Sequence, residues 1–357
     1  MLIYILTLLI PSSFYGLNLK LDNKFYYFLI YLFLFYLIFF IGLRHHTGGD
    51  WSAQIYEYYR AQVSFNIYTL DFRGDFLFSY LNYLVSKFYG SIYILNFLLA
   101  SLLVLSVYLY SSLLSQRFIT LLISFPYIFV VVGMGFNRQG MALSLILIGL
   151  YYLQKNKYFI FILYSAFSIF SHKSAIIILA ISFFKFNKYF FLRIISTFLV
   201  ALLTIYFVRD DLTRSYFYYV GEGVHLDSKG SVFRNFFNTI PVLILIIFYK
   251  KFLKIITEEE KQIYLFFSFY QLILLIMSFY ISTFADRMTI YSLPLQLFIF
   301  SNLHSVFNPK YKIFINIIIL SMYNCYFFIW IYLGQYSKVW FPYRNIIIEY
   351  ILNFPVK

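Results

Sequence analysis

The sequence predicts an all-α fold, a polytopic bundle of transmembrane helices, and three observations carry that prediction. Hydrophobic residues fill 62% of the 357 positions and charged residues only 12%, a balance that excludes a soluble globular domain. The apolar residues fall in runs such as Phe25 to Leu43, long enough to cross a hydrocarbon core of about 30 Å. The charges gather between those runs rather than inside them. With no internal repeat and no low-complexity tract, residues 1–357 read as one integral-membrane domain with two long external loops, 44–90 and 209–234.

About twelve spans are expected. The first, near 1–16, has neither a basic flank nor a small-residue cleavage site, so it reads as a retained span rather than a signal peptide. The second, 25–43, ends in the polar cluster Arg44-His45-His46-Thr47-Gly48-Gly49-Asp50. Beyond it Trp51, Ile55, Tyr58 and Tyr59 fall at i, i+4, i+7 and i+8, the spacing of an amphipathic helix lying on the membrane surface. Free N–H groups at its start, with Arg44 close by, suit an anionic headgroup; the plainer alternative is that Asp50 caps the helix and Arg44 anchors the segment to lipid phosphates. Residues 75–90, with Phe76, Leu77, Tyr80, Leu84 and Phe88, suit a further surface helix or a shallow dip into the bilayer. The remaining spans are placed near 91–113, 118–135, 139–153, 158–171, 174–185, 194–208, 235–249, 262–283, 288–303 and 313–333. The short ones call for tilt, kinks or re-entry.

Orientation follows from loop type. The 28 lysines and arginines divide evenly between the two sides, so the total does not decide. One side, however, carries short, lysine-rich turns at 20–24, 117, 155–157, 185–193, 250–261 and 310–312, the pattern of cytoplasmic loops. Both termini are then external. Among the arginines only Arg117 and Arg193 fall inside, and the external surplus needs another explanation. The planar guanidinium fork grips phosphate, and Arg44, Arg138, Arg287 and Arg344 all sit at outer span ends, so a membrane-level basin for a phosphorylated lipid is expected.

Four further outer patches join the first. Gly133-Met134-Gly135-Phe136-Asn137-Arg138-Gln139-Gly140 breaks an apolar hairpin and leaves Arg138 at the membrane, where a charge is costly unless it has a function; an arginine snorkelling to headgroups is the alternative. Ser171-His172-Lys173-Ser174 is a tight turn with a side chain able to shuttle protons near neutral pH. Phe284-Ala285-Asp286-Arg287 with Tyr291 forms a third turn, and Trp340-Phe341-Pro342-Tyr343-Arg344-Asn345 follows the last span. The long loop carries Arg209, Asp210, Asp211, Arg214, Glu222, His225, Asp227 and Arg234 without recognisable spacing. A single cysteine, Cys325, allows no internal disulfide. Nothing matches a nucleotide-binding loop, a zinc signature or a nucleophile elbow, so neither metal nor other cofactor is expected, and the basic charge calls for a lipid-phosphate partner rather than nucleic acid.

The pattern Arg44, Gly49-Asp50 and Tyr56, then Arg138-Gln139-Gly140, His172-Lys173-Ser174-Ala175, Arg287 with Tyr291, and Pro342-Tyr343-Arg344 resembles the EpsG-type branch of the Wzy polysaccharide polymerases. The resemblance spreads in order over nearly the whole chain. It implies an O-antigen or capsule-type polymerase of the bacterial cytoplasmic membrane, a glycosyltransferase joining undecaprenyl-pyrophosphate-linked repeat units on the outer face. A chain-length regulator and other glycan-assembly proteins are the implied partners. Such chemistry needs cations for the departing pyrophosphate and a base for the attacking hydroxyl. Arg44, Arg138, Gln139, Arg287, Tyr291 and Arg344 are the substrate-binding candidates. His172, Asp50 and His45 are the catalytic candidates, unranked. A flippase for the same lipid-linked sugar, or a glycosyltransferase using a polyprenyl monophosphate donor, are the alternatives; the flippase predicts polar residues lining a path through the middle of several spans.

Overall fold

The structure, a computed structural model, describes residues 2–16, 22–64, 75–88, 90–181, 191, 194–195, 197–199, 202, 228 and 230–351. The expected span at 194–208 and most of the 209–234 loop lie largely outside the described residues. Within them the named elements are all helical, and the one pairing of extended backbone is an antiparallel bridge between Arg44 and Asn345. Helices Leu2–Gly16, Asn23–Gly42, Ile92–Ser111, Asn137–Gln154, Tyr158–Ser171, Ser231–Ile247, Glu258–Met277 and Lys312–Leu333 occupy the apolar runs expected to be spans.

Among the described residues, four helical segments are long and apolar enough to cross a bilayer alone: Asn23–Gly42, Ile92–Ser111, Arg117–Gly135 and Pro309–Leu333. Leu2–Ser13, Tyr158–Ser171 and Ser231–Ile247 are shorter apolar helices. Two expected spans take another form. Around 174–185 the described backbone is the 3-10 helix Lys173–Ala180, and 288–303 divides into the 3-10 turn Thr289–Ser292 and the helix Leu293–Asn302. Eight residues at about 2 Å each fall well short of a hydrocarbon core of about 30 Å. The rest of the first, from residue 182 on, lies outside the described residues, whereas the second runs on helically from Ser282–Met288 through Leu303–Val306.

The Arg117–Gly135 segment is the centre of the bundle, with 94% of its apolar window buried. Lys312–Leu333 packs against it and against Leu2–Gly16, while Asn23–Gly42, Ile92–Ser111, Asn137–Gln154 and Tyr158–Ser171 pack in sequence as neighbours. Its middle, Phe125–Val132, is wound as a π-helix, a wider coil often found beside functional sites. On the other flank Ser231–Ile247 packs against Glu258–Met277 and Leu293–Asn302. Buried amides staple that flank together. The Asn238 amide donates to Thr289 Oγ1 at 3.0 Å, Thr289 and Ser292 donate to Gln271 Oε1 at 3.0 and 2.6 Å, and Gln271 Nε2 donates to Asn235 O at 3.1 Å. Gln296 donates to Asn238, and Tyr323 to Gln296 at 2.9 Å. Each such interhelical bond in lipid contributes on the order of 0.6–2 kcal/mol.

Short connections put the expected outer turns at one end of the bundle. There the segment after Lys312–Leu333 runs back across the 43–48 loop: Gly48 N–H donates to Val339 O at 2.9 Å, His45 N–H to Arg344 O at 3.0 Å and Ile346 N–H to Leu43 O at 3.0 Å. Helices Trp51–Ser64 and Phe76–Lys87 pack on each other at this end, with Tyr58 Oη donating to Gly90 O at 2.5 Å. The buried face of Trp51–Ser64 is Trp51, Gln54, Tyr58 and Ala61, whereas Tyr59 is 61% exposed. The predicted apolar stripe is thus turned by about one residue, because Gln54 is drawn inward to a buried guanidinium. At the opposite end Gln116 Nε2 lies 2.7 Å from His304 Nδ1, and Gln116 and Asn316 exchange amide hydrogen bonds of 3.1 and 2.9 Å.

Candidate active site

The site is built around a carboxylate that enters just before a helix. Asp75 precedes Phe76–Lys87 and is only 7% exposed, so its charge has to be matched. His172 Nδ1 lies 3.0 Å from both Asp75 oxygens, Arg138 Nη1 donates to Oδ2 at 3.1 Å, and the Lys173 N–H reaches Oδ1 at 3.4 Å. Burial alone would raise the Asp75 pKa, but His172, Arg138 and Lys173 outweigh it and hold the carboxyl below its ordinary value. An ionised carboxylate only accepts, so Nδ1 carries a proton, and in the neutral ring the lone pair is then on Nε2. The backbone supports this posture: His172 is extended between the Tyr158–Ser171 helix and the following 3-10 helix, which turns the ring off the helix end toward Asp75.

Arg138 sits in the first turn of Asn137–Gln154, where the Gly133–Gly135 turn delivers it. Its fork spans two acids, Nη1 on Asp75 and Nη2 on Glu57 at 3.2 Å, while the side chain stays 40% exposed. Asp50, immediately before Trp51–Ser64, lies in the field of Arg138, Arg287, Arg44 and His172. Burial nonetheless prevails and raises its pKa, as it also does for Glu57. Arg287 is exposed on the short helix Ser282–Met288. Its neighbour Asp286 is fixed by Arg234, which donates through Nε and through Nη2, the latter at 2.6 Å, and by Ser228 Oγ at 3.1 Å. Tyr291 is fully buried, and its hydroxyl meets Ser174 Oγ at 2.8 Å, tying the His172 turn to the Arg287 turn.

The other candidates lie alongside. Arg44 is 1% exposed, with its guanidinium on Ile41 O, Gln54, Asn96 and Asn137; burial lowers its pKa to about 10, so it remains a cation. Gln139 is 5% exposed. His45 and Arg344 form a second group: His45 Nδ1 is 2.5 Å from Tyr93 Oη, His45 Nε2 is 3.6 Å from Glu349, and Arg344 Nε is 3.7 Å from Glu349. Burial lowers the His45 pKa. The structure therefore brings Asp50, Arg138, His172 and Arg287 into one electrostatic neighbourhood and places His45 with Arg344 in another, with the Trp51 ring 5.7 Å from His45.

Sequence reasoning assigned no role to Asp75 or Glu57, which supply the two partners of Arg138. Glu57 carried a usable signal, since Asp50, Gln54 and Glu57 recur at i, i+4 and i+7 on one helix face. Asp75 carried none, because its partners come from turns 63 and 97 residues away.

Among protein families, the EpsG family matches residues 2–345, nearly the whole chain. No curated protein and no solved structure matches it.

Proposed function

From the premise that the chain belongs to the EpsG family, we propose that it is a polysaccharide polymerase of the bacterial cytoplasmic membrane. It joins lipid-linked oligosaccharide repeat units at the outer face, with an undecaprenyl-pyrophosphate-linked glycan as donor. The observation that carries this reading is the Asp75–His172 pair set against the partly exposed fork of Arg138.

In the proposed reaction, His172 Nε2 takes the proton of the acceptor sugar hydroxyl as that oxygen bonds to the donor's anomeric carbon. The carbon–oxygen bond to the pyrophosphate breaks, and its electron pair leaves on the lipid pyrophosphate. Asp75 keeps the proton on Nδ1 and orients the ring, a positioning role. Arg138 and Arg287 stabilise the negative charge that gathers on the leaving group, and Asp50 accepts a hydrogen bond from the incoming sugar. General-base transfer of this kind contributes about 10²–10⁴-fold, and fixed cations aimed at developing charge contribute the larger share. Tyr291 and Arg44 act from below the site, holding the turns that carry His172 and Arg138. A flippase is less well supported, since the mid-bundle amides of Asn235, Asn238, Gln271 and Gln296 are closed onto one another rather than lining a lane.

The test is the surface glycan of a deletion strain complemented with His172→Ala. Single repeats capping the lipid are the expected product, with lipid-linked substrate still accumulating and exported. Complete absence of surface glycan would point to transport and overturn the assignment.

A further inference from the structure

Arg44 carries a charge that no carboxylate contacts directly among the described residues. Its guanidinium donates only to neutral oxygens: Nη1 to Ile41 O at 2.9 Å, and Nη2 to Gln54 Oε1 at 3.3 Å, Asn96 Oδ1 at 3.2 Å and Asn137 Oδ1 at 2.8 Å. The carboxylate whose field reaches it, Asp50, makes no hydrogen bond to it among the described residues. Three helices begin around it. Trp51 and Gln54 lie in the first turn of Trp51–Ser64, Asn137 opens Asn137–Gln154, and Asn96 lies in the second turn of Ile92–Ser111. Each helix start adds a partial positive charge of about half a unit.

The same cluster holds an excess of donors. Arg44 Nε, Trp51 Nε1, Asn96 Nδ2 and Asn137 Nδ2 are buried without a hydrogen-bond partner, and the Trp51 ring lies 5.9 Å from the guanidinium. A buried donor left unmet keeps the full cost of its lost hydration. The side-chain oxygens of the group are already engaged: Asn96 Oδ1 accepts from both Arg44 and Gln54, Asn137 Oδ1 and Gln54 Oε1 from Arg44. A water molecule there could accept from only two of these donors and would bring no charge. An anion accepts from all of them and also supplies the missing charge.

We propose that the Arg44 cluster is a closed site for a monatomic inorganic anion of halide size. Arg44, Gln54, Trp51, Asn96 and Asn137 are each at most 5% exposed, so the cluster is closed to bulk solvent and to a lipid diphosphate, and a small ion is the occupant proposed. The ion fastens the starts of three helices to one another directly beneath Asp50 and Arg138, and this role is independent of the reaction catalysed above it.

The experiment uses the full-length protein in detergent at fixed ionic strength. Thermal unfolding in sodium chloride or bromide is expected to lie several degrees above that in sodium gluconate, and bromide is expected to give an anomalous diffraction peak beside Arg44. Asn96→Asp supplies an internal counter-charge, so the variant is expected to be as stable in gluconate as in chloride. Equal stability of the wild type in all three salts, or no bromide peak, overturns the proposal. So does inorganic pyrophosphate replacing chloride at matched ionic strength, which would assign the cluster to substrate phosphate. Should Asn96→Asp fail to fold, the bromide peak in the wild type decides.

Discussion

At the residue scale, Asp50 and Asp75 are both withdrawn from water yet lie in opposite electrostatic regimes. For Asp75, the partners overcome burial and lower the folded pKa. Its contribution to stability is then fully present above the unfolded carboxylate value of about 3.9 and is lost as pH falls through the folded one. Asp75→Asn is expected to lower the unfolding temperature at neutral pH, with the gap to wild type narrowing below about pH 4, and to cut chain growth by releasing the His172 ring. A gap that stays constant with pH would remove the ion-pair account. For Asp50, burial prevails and raises the folded pKa, so its favourable contribution exists below about 3.9 and disappears as pH rises through the folded value. Above that the ionised group opposes folding. Asp50→Asn should therefore unfold at a higher temperature than wild type at pH 7 while polymerising less, and a lower unfolding temperature would show that the carboxylate is structural. Arg138→Lys preserves charge but cannot span Asp75 and Glu57 together, which the fork does through separate nitrogens. Chain growth should drop, by up to the roughly 10²–10³-fold that follows loss of one charge-stabilising donor, and a Lys variant with full activity would remove the fork from the argument.

At the scale of elements, the site depends on three segments wedged together, and glycine makes the wedge possible. Gly48 has φ +108°, and a Cβ there would meet Met134 O at 1.9 Å; a Cβ on Gly135 would meet Trp340 Cζ2 at 2.2 Å. The Trp340 indole donates to Val130 O at 3.0 Å, within the π-helical stretch, so the C-terminal strap is seated on the turn that delivers Arg138. Gly135→Ala should destabilise the protein and impair activity. Trp340→Phe, which removes the colliding ring, should recover part of that loss in the double variant, so that a double-mutant cycle gives a coupling of about 0.5–3 kcal/mol; strictly additive effects would place the two apart. Such juxtapositions were not legible in the sequence, although most apolar runs were, because a span is specified locally by its own twenty or so residues. The phase of Trp51–Ser64 was misplaced because Gln54 is buried to meet Arg44, a contact made across ten residues. Asp75 was passed over because nothing local distinguishes it from a solvated acid before a helix.

At the scale of the whole molecule, the expected outer turns do converge, and that follows from connectivity more than from any single motif. With successive helices running back and forth, the ends at 43–50, 137–138, 172–173 and 286–287 fall on one side, and bonds such as Arg138 to Asp75 and Tyr291 to Ser174 draw them together. Lysine-rich turns lie at the other end, near Gln116, His304 and Lys310. If the lysine pattern reports the cytoplasm, the arginine-bearing end faces outward, where exported lipid-linked sugars would meet it. Cysteine labelling separates the two orientations. Cys325, the single cysteine, is replaced by serine, and one cysteine is introduced at Ser52 or Ser305, both exposed and at opposite ends of the bundle. In intact cells a membrane-impermeant maleimide should label Ser52→Cys at once and Ser305→Cys only after permeabilisation. The reverse pattern would put the Asp75–His172 pair in the cytoplasm, where an exported glycan cannot reach it, and would defeat the polymerase assignment even with every contact in the site intact.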